Sequence, residues 1–330
     1  SSQISGIPST TVSGFTTTQL NAIAGGGVAS LAELSLQIGG VTTTQIAGLN
    51  TTAFSQLSSL QLSGMTTTQL KAINKTDLGV ITTTQINGLS STQLAGMTST
   101  QIGAIGTTGF PGLSSGQLSG LTATQLKVIS TTNVATLTSS QISGITSATI
   151  GGFTATQLNA IAGGGVASLA ELSLQIGGVT TTQIAGINTT AFGQLSSLQL
   201  NGMTTTQLKA INVTNMRVIT TSQINGLTST QLGGMTSTQI GAIGVTGFAG
   251  LSSGQLSGLT ATELKAITTT NLGQIQTTQI NGLTSTALAG LTTTQVAAIG
   301  TTGFVGLDSG QLSGFTATQR SRQGGGQHLA

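Results

Sequence analysis

Apolar residues recur every eight positions along this chain. Leu89, Met97, Ile105, Leu113, Leu121, Ile129, Leu137, Ile145 and Phe153 each stand eight residues after the one before. A second apolar series follows the first by five: Leu94, Ile102, Phe110, Leu118, Leu126, Val134, Ile142 and Ile150. Numbered from the first series, the unit reads apolar, Ser/Thr, any, Ser/Thr, Gln, apolar, any, small. It runs from about Ile7 to Phe315. The main break is the step from Leu31 to Val41 through LAELSLQIGG, which takes ten residues and recurs from Leu169 to Val179. A globular core cannot be lengthened by copying one short unit, but a stack whose units touch only their neighbours can.

Longer copies overlie the octad. Residues 15–152 return as 153–290, an offset of 138, and a second offset of 56, seven octads, relates MTTTQLKAIN at 203–212 to LTATELKAIT at 259–268. Residues 1–319 are therefore expected to form one octapeptide-repeat solenoid, with a partial third copy at 291–319 and an atypical tail at 320–330. Seven is odd. A coil of two unlike octads would exchange its sides across each 56-residue copy, so the octads should be nearly equivalent.

Apolar spacings of five and three fit neither a long helix nor a strand, so each octad must contain a turn. A short capped helix satisfies the pattern. With Thr122 as N-cap, its hydroxyl can accept from the N–H of Gln125 while the Gln125 amide reaches back to the cap N–H, which is the capping box. Leu121 and Leu126 then occupy the two positions of the hydrophobic staple. Thr66, Thr204 and Thr260 are the equivalent caps. Other residues at position two are also N-cap formers: Asn50, Asn74, Asn188, Asn212, Gly106, Gly244, Gly300 and Asp308. Asp77 and Glu263 stand in for Gln at position five, and Gln276 and Ala24 are misfits at position two. The frequent Gly at position eight suggests a left-handed helix stop. Both apolar series, including Leu94, Ile102, Phe110, Leu118 and Leu126, should be buried. The competing fold is a β-solenoid, since Thr, Ile and Val favour strands. It would bury a Gln at nearly every step and require a continuous amide ladder.

Composition removes most chemistry. Only 4% of the 330 residues are charged, and Cys, Trp and Tyr are absent. Disulfides and thiolate metal sites are therefore impossible. The net charge of +3 comes from scattered cations (Lys71, Lys75, Lys127, Lys209, Arg217 and Lys265) that build no stripe for nucleic acid. SSQISGIPST lacks the basic and apolar segments of a signal peptide. The most apolar stretch, 22–40, carries Glu33 and is not a membrane span.

Each remaining candidate has a plain structural reading. AGGGVAS at 24–30 and 162–168 resembles a phosphate loop but lacks the Gly-Lys-Ser/Thr that would follow. Glu33 and Glu171 are lone carboxylates expected on a solvated face, and Asp308 is expected to cap a helix. His328 is the single histidine and lies in the tail RSRQGGGQHLA, without the partners of a triad. Phe110, Phe248 and Phe304 should fill core space beside Gly109, Gly247 and Gly303. The triplets beginning at Asn50, Asn74, Asn188 and Asn212 match the glycosylation sequon by chance in a chain this rich in Asn and Thr. Neither catalytic residues nor a metal or cofactor site is expected, and so no enzyme. The Thr-x-Thr rows Thr66/Thr68, Thr98/Thr100, Thr122/Thr124 and Thr236/Thr238 could present a face to ice or glycan, although capping already explains position two.

Strings such as ITTTQINGL at 81–89 and LTTTQVAAI at 291–299 resemble the Thr-Gln-rich short repeats of large bacterial surface or secreted proteins of adhesin-like type. The resemblance covers 7–315. It implies an extracellular structural role such as a stalk, matrix fibre or filament subunit, and it carries no catalytic residues. Low charge removes the repulsion that keeps copies apart. Self-association into a fibre is therefore expected, with Arg320–Ala330 available to bridge neighbours.

Overall fold

The computed structural model describes residues 6–26, 31–34, 38–172 and 175–323. Among them are thirty-four short α-helices and five 3-10 helices, with no strand. The fold is a helical solenoid, and the β-solenoid alternative is overturned. The chain forms two compact units, Ser1–Glu171 and Leu172–Ala330, divided within the second ten-residue break.

Each octad makes one helix of a turn or so, too short to persist alone in water. Its start is fixed by the box. In the helix Thr67–Ala72, the Gln69 N–H donates to Thr66 Oγ1 at 3.2 Å and the Thr66 N–H donates to Gln69 Oε1 at 2.8 Å. Thr122, Thr204 and Thr260 cap in the same way. Asn50, Asn74, Asn188, Asn212 and Asp308 also serve as side-chain caps. Replacing Thr122 by alanine is expected to cost about 1 kcal/mol, read as a lower urea midpoint by circular dichroism. An unchanged midpoint would mean that the cap contributes nothing.

The two misfits have distinct outcomes. Ala24 cannot cap, and the helix begun at Thr17 runs straight through it to Gly25; Ala155–Gly163 runs through Ala162 likewise. Gln276 starts a helix with only half a box: its N–H donates to Gln279 Oε1 at 2.9 Å, while its own amide turns away to the Gln274 carbonyl.

Helix ends depart from the sequence reading. Only Gly165 has a positive φ among the described residues, so position-eight glycines are not left-handed stops. The helix ends because the next apolar residue turns extended, as Met65 does at φ −73° and ψ 141°, its N–H donating to the Leu62 carbonyl at 3.2 Å. Glycine is needed for a different reason, the closeness of the neighbouring coil. A Cβ on Gly88 would lie 2.6 Å from Ser59 Cβ and 2.7 Å from its carbonyl oxygen, whereas one on Gly79 would meet only the Ala104 oxygen at 3.9 Å. Gly88→Ala is therefore expected to destabilise by about 1–3 kcal/mol. Gly79→Ala, with ordinary helical geometry, should be neutral or slightly stabilising. Equal urea midpoints for the two variants would refute close coil packing.

The coils are joined by the same glutamines that complete the boxes. Gln101 Nε2 donates to the carbonyls of Leu70 at 2.9 Å and Ile73 at 2.8 Å, which are 31 and 28 residues back. Gln125 reaches Leu94 and Met97, and Gln157 reaches Leu126 and Ile129, with the same spans. The two acceptors flank the junction between the octads four and three places earlier, so one turn of the coil holds about three and a half octads. Accordingly Ser99–Ala104 packs on Lys75–Gly79, and Ala261–Ala266 on Ser237–Ala242. Seven octads close two turns, which is the 56-residue period of the sequence. At the first ten-residue break the bonds lengthen by two: Gln45 reaches Phe15 across 30 residues and Val12 across 33. The coil thus absorbs the insertion in one step.

Both apolar series face the interior. Leu94, Ile102, Phe110, Leu118 and Leu126 are buried, as are Leu89, Met97, Ile105, Leu113 and Leu121. Phe248 is buried like Phe110, but Phe304 is only half-buried and stacks on Phe315 with ring centroids 6.4 Å apart. Pro111 distinguishes the Phe110 octad from its copy. It has no N–H for an α-helical bond, and Phe110–Gly112 is a 3-10 turn where Val245–Ala249 is α-helical.

Candidate functional site

The recurrent polar positions are engaged with the chain itself. Thr66 Oγ1 both accepts from the Gln69 N–H and donates to Gln69 Oε1 at 3.0 Å, so its hydroxyl hydrogen is occupied. Thr98, Thr122 and Thr236 make the same pair of bonds. In the Thr-x-Thr rows only the second member, Thr68, Thr100, Thr124 and Thr238, is exposed with no protein partner for its hydroxyl. Half of the hydroxyls that could face ice or glycan therefore already have their donors placed.

The buried glutamine row is where the sequence reading missed a role. A capping box needs only the Gln oxygen, and a glutamine serving that alone could lie at the surface. Gln61, Gln125 and Gln199 are nevertheless almost fully buried. The signal was present in the near-absence of Glu from position five, since Glu completes a box equally well but has no N–H for the coil below. Glu263 illustrates the difference. It keeps the box, with Thr260 N–H donating to Oε2 at 2.7 Å, and has no amide for the Leu232 and Met235 carbonyls. Asn133 and Asn271 have shorter arms and reach one carbonyl each, of Ile105 at 2.7 Å and Ile243 at 2.8 Å.

Asp77 is the least ordinary member of the row. It is 1% exposed. Asn74 Nδ2 donates to its Oδ2 at 2.6 Å, and its own N–H donates to Asn74 Oδ1 at 2.9 Å, but Oδ1 is buried without a partner. Burial pushes this carboxyl up to about 6, opposed by the Asn74 hydrogen bond. The adjoining helices Thr51–Ser55 and Ser99–Ala104 carry no charge, and Lys75 on its own helix is exposed. The equivalent residue in the second copy is Asn215, whose Nδ2 donates to the Ile187 carbonyl at 3.0 Å.

The other candidates are dispersed. Glu33 and Glu171 are half-buried in the turns Leu31–Leu34 and Leu169–Glu171, each with Oε2 buried and unpartnered, rather than on a solvated face. The Gly-rich stretch at 24–30 is described only to residue 26; at 162–168 it ends a helix and then turns through Gly165. His328 and most of the tail lie outside the described residues, while Arg320 is exposed on the helix Ala317–Gln323. Lys71, Lys75, Lys127, Lys209, Arg217 and Lys265 are exposed. Among the described residues no three His, Cys, Asp or Glu stand close enough to hold a metal, and no helix is long and apolar enough to cross a membrane.

Comparison with known proteins agrees with the octad register. No curated protein matches the chain. The family described as the ALTTAQ repeat matches residues 70–107, which hold the helices Lys75–Gly79, Thr83–Asn87, Ser91–Gly96 and Ser99–Ala104. Read as residues, the six letters of that description fall on position eight and positions one to five, as VITTTQ does at 80–85. The chain is a repeat protein, similar over these residues to the ALTTAQ repeat.

Proposed function

We propose that this chain is a non-enzymatic structural protein of the bacterial exterior, serving as a stalk, matrix fibre or filament subunit. One observation carries the reading: five of the six recurrent positions of the octad are used by the fold. Position two caps, position five caps and clamps the coil below, positions one and six fill the interior, and position eight admits the neighbouring coil. A sequence maintained for a ligand would repeat several residues that the fold does not use, and only the exposed Thr of position four recurs in that way. Positions three and seven vary, taking Ser, Thr, Ala, Lys, Asn and Gly among others. The sparse charge and absent cysteine suit a stable exterior scaffold with no redox chemistry. Protease treatment of intact cells carrying an epitope-tagged chain tests the location. The tag should be lost without lysis, and protection until the cells are broken would overturn the assignment.

A further inference from the structure

A groove of about 420 Å³ opens on the side of the coil, lined by Ser59, Thr83, Thr84, Asn87, Gly88 and Gly112 from three successive turns. Packing explains its glycines: a Cβ on Gly112 would lie 2.6 Å from Thr83 Cα, as one on Gly88 would meet Ser59. Packing does not explain the polar side chains. Thr83, Thr84 and Asn87 are exposed, and among the described residues their side chains have no hydrogen-bond partner. Asn87 is the informative member. Asn21 and Asn201, at the same octad position, serve the fold by donating to the Gly48 and Gly226 carbonyls at 3.0 and 2.7 Å. Asn87 does not, and the octad folds without it: TTTQIAGL at 42–49 builds the same capped helix as TTTQINGL at 82–89. The lining nevertheless returns 138 residues on and again 56 further, with Asn225 and Asn281 for Asn87 and one change, Ser222 for Thr84. The stacking returns with it, Gly226 on Ser197, Gly250 on Thr221, Gly282 on Ser253 and Gly306 on Thr277. Beside the lining the copies diverge: Thr82 becomes Gln276, Leu60 becomes Gly254, and Pro111 becomes Ala249 and Val305.

The geometry points to these grooves as binding sites for a neutral polysaccharide. Each asparagine offers two N–H donors and a carbonyl acceptor beside hydroxyls that donate and accept, which is the complement of a sugar's neighbouring hydroxyls. Thr221 and Thr277 donate to the Thr246 and Thr302 carbonyls at 2.9 and 2.8 Å, and their oxygens remain acceptors. None of the lining residues is charged, so an anionic polymer finds no cation to pair with there. The first groove lies within the range of about 300–1,000 Å³ that holds small ligands. The second and third both belong to the unit Leu172–Ala330 and stand seven octads apart, two turns of the coil, so they face the same side. At about 8–10 Å for each packed layer of helices their separation is about 16–20 Å. One linear polymer can engage both, and two weak sites then act as a stronger one. The recurrence follows the long copies and not the octad, so the inference goes beyond the structural role proposed above without displacing it.

Affinity electrophoresis of the 330-residue chain through gels holding dextran, galactomannan or xyloglucan, with alginate as the anionic comparison, tests it. At least one neutral polymer should retard the parent chain, and alginate should not. Asn225→Ala with Asn281→Ala should raise the apparent Kd about tenfold or more, because the paired sites are lost together. Adding Asn87→Ala should abolish retardation. Thr124→Ala, at an exposed hydroxyl outside the grooves, should bind like the parent. Circular dichroism at 222 nm checks folding, and alanine already stands natively in TTTQIAGL at 42–49. A parent retarded by none of the three neutral polymers, retardation by alginate as strong as by any of them, or a triple variant retarded like the parent would overturn the sites. Any of these leaves the exterior role standing, and protection from protease on intact cells would overturn that role while leaving the grooves.

Discussion

Gln101→Leu is expected to destabilise its unit by roughly 3–5 kcal/mol, more than a buried apolar substitution of similar size would suggest. Leucine fills comparable space and is more apolar, so transfer alone would favour it. It makes none of the bonds, however. The Ile73 carbonyl loses its donor and the Thr98 N–H its acceptor, while the Leu70 carbonyl keeps only the Ile73 N–H. Each polar group left unpaired in a water-free place costs about 1–3 kcal/mol. Gln93 is the control. It makes the same bonds at a half-exposed position, where water can replace it, so Gln93→Leu should cost about 1 kcal/mol. Urea denaturation of both variants, with amide exchange at Thr98, reads the difference. If the two midpoints fall together, the buried amide is not the joint between coils.

Asp77→Asn should stabilise the chain at pH 7, by about 2–3 kcal/mol, and leave it unchanged near pH 3. The folded-state pKa of Asp77 is raised from 3.8 to about 6. The folded state therefore holds the proton more tightly than the unfolded chain. Stability contributed by this group is complete below the unfolded value and falls as pH rises through the folded one, by about 1.4 kcal/mol for each tenfold difference in proton affinity between the two states. Asparagine removes the titration and supplies an N–H. The second copy shows its placement, with Asn215 Nδ2 bonded to Ile187, the counterpart of Leu49. Thermal melts of both proteins from pH 3 to pH 8 should converge in acid and separate between about pH 4 and pH 6. Parallel curves across that range would show that Asp77 is solvated when ionised.

Legibility in the sequence followed the range of the interaction. The caps are local: Thr122 and Gln125 are three residues apart, and side-chain chemistry alone places them. Burial was legible because two apolar series must share one interior. The partners of Gln125 Nε2 were not, because they lie 28 and 31 residues away, and only the coil pitch brings them near. Glycine misled for the same reason. Gly88 invites a local account in terms of φ, whereas its cause is Ser59 in the coil below. Ala24 is recognisable as a misfit, but whether the helix skips a beat or runs on depends on the packing around it. The candidate site was least legible of all. That the Thr66 hydroxyl is fully engaged is local and could be read, but Asp77 reads as one more box residue until its burial is seen.

The half-integral pitch sets a rule for how such a gene can change length. Within a unit, deleting one octad keeps every cap, box and staple intact, yet it turns all the downstream side chains through two-sevenths of a revolution. A residue that faced one side then faces another, and neighbours across the groove are reshuffled. Deleting or adding seven octads is the smallest whole-octad edit that restores both reading phase and azimuth. The 56-residue echo between 203–212 and 259–268 is an edit of that size. Slippage by seven octads is thereby silent to anything that reads one side of the coil, whereas slippage by one is not.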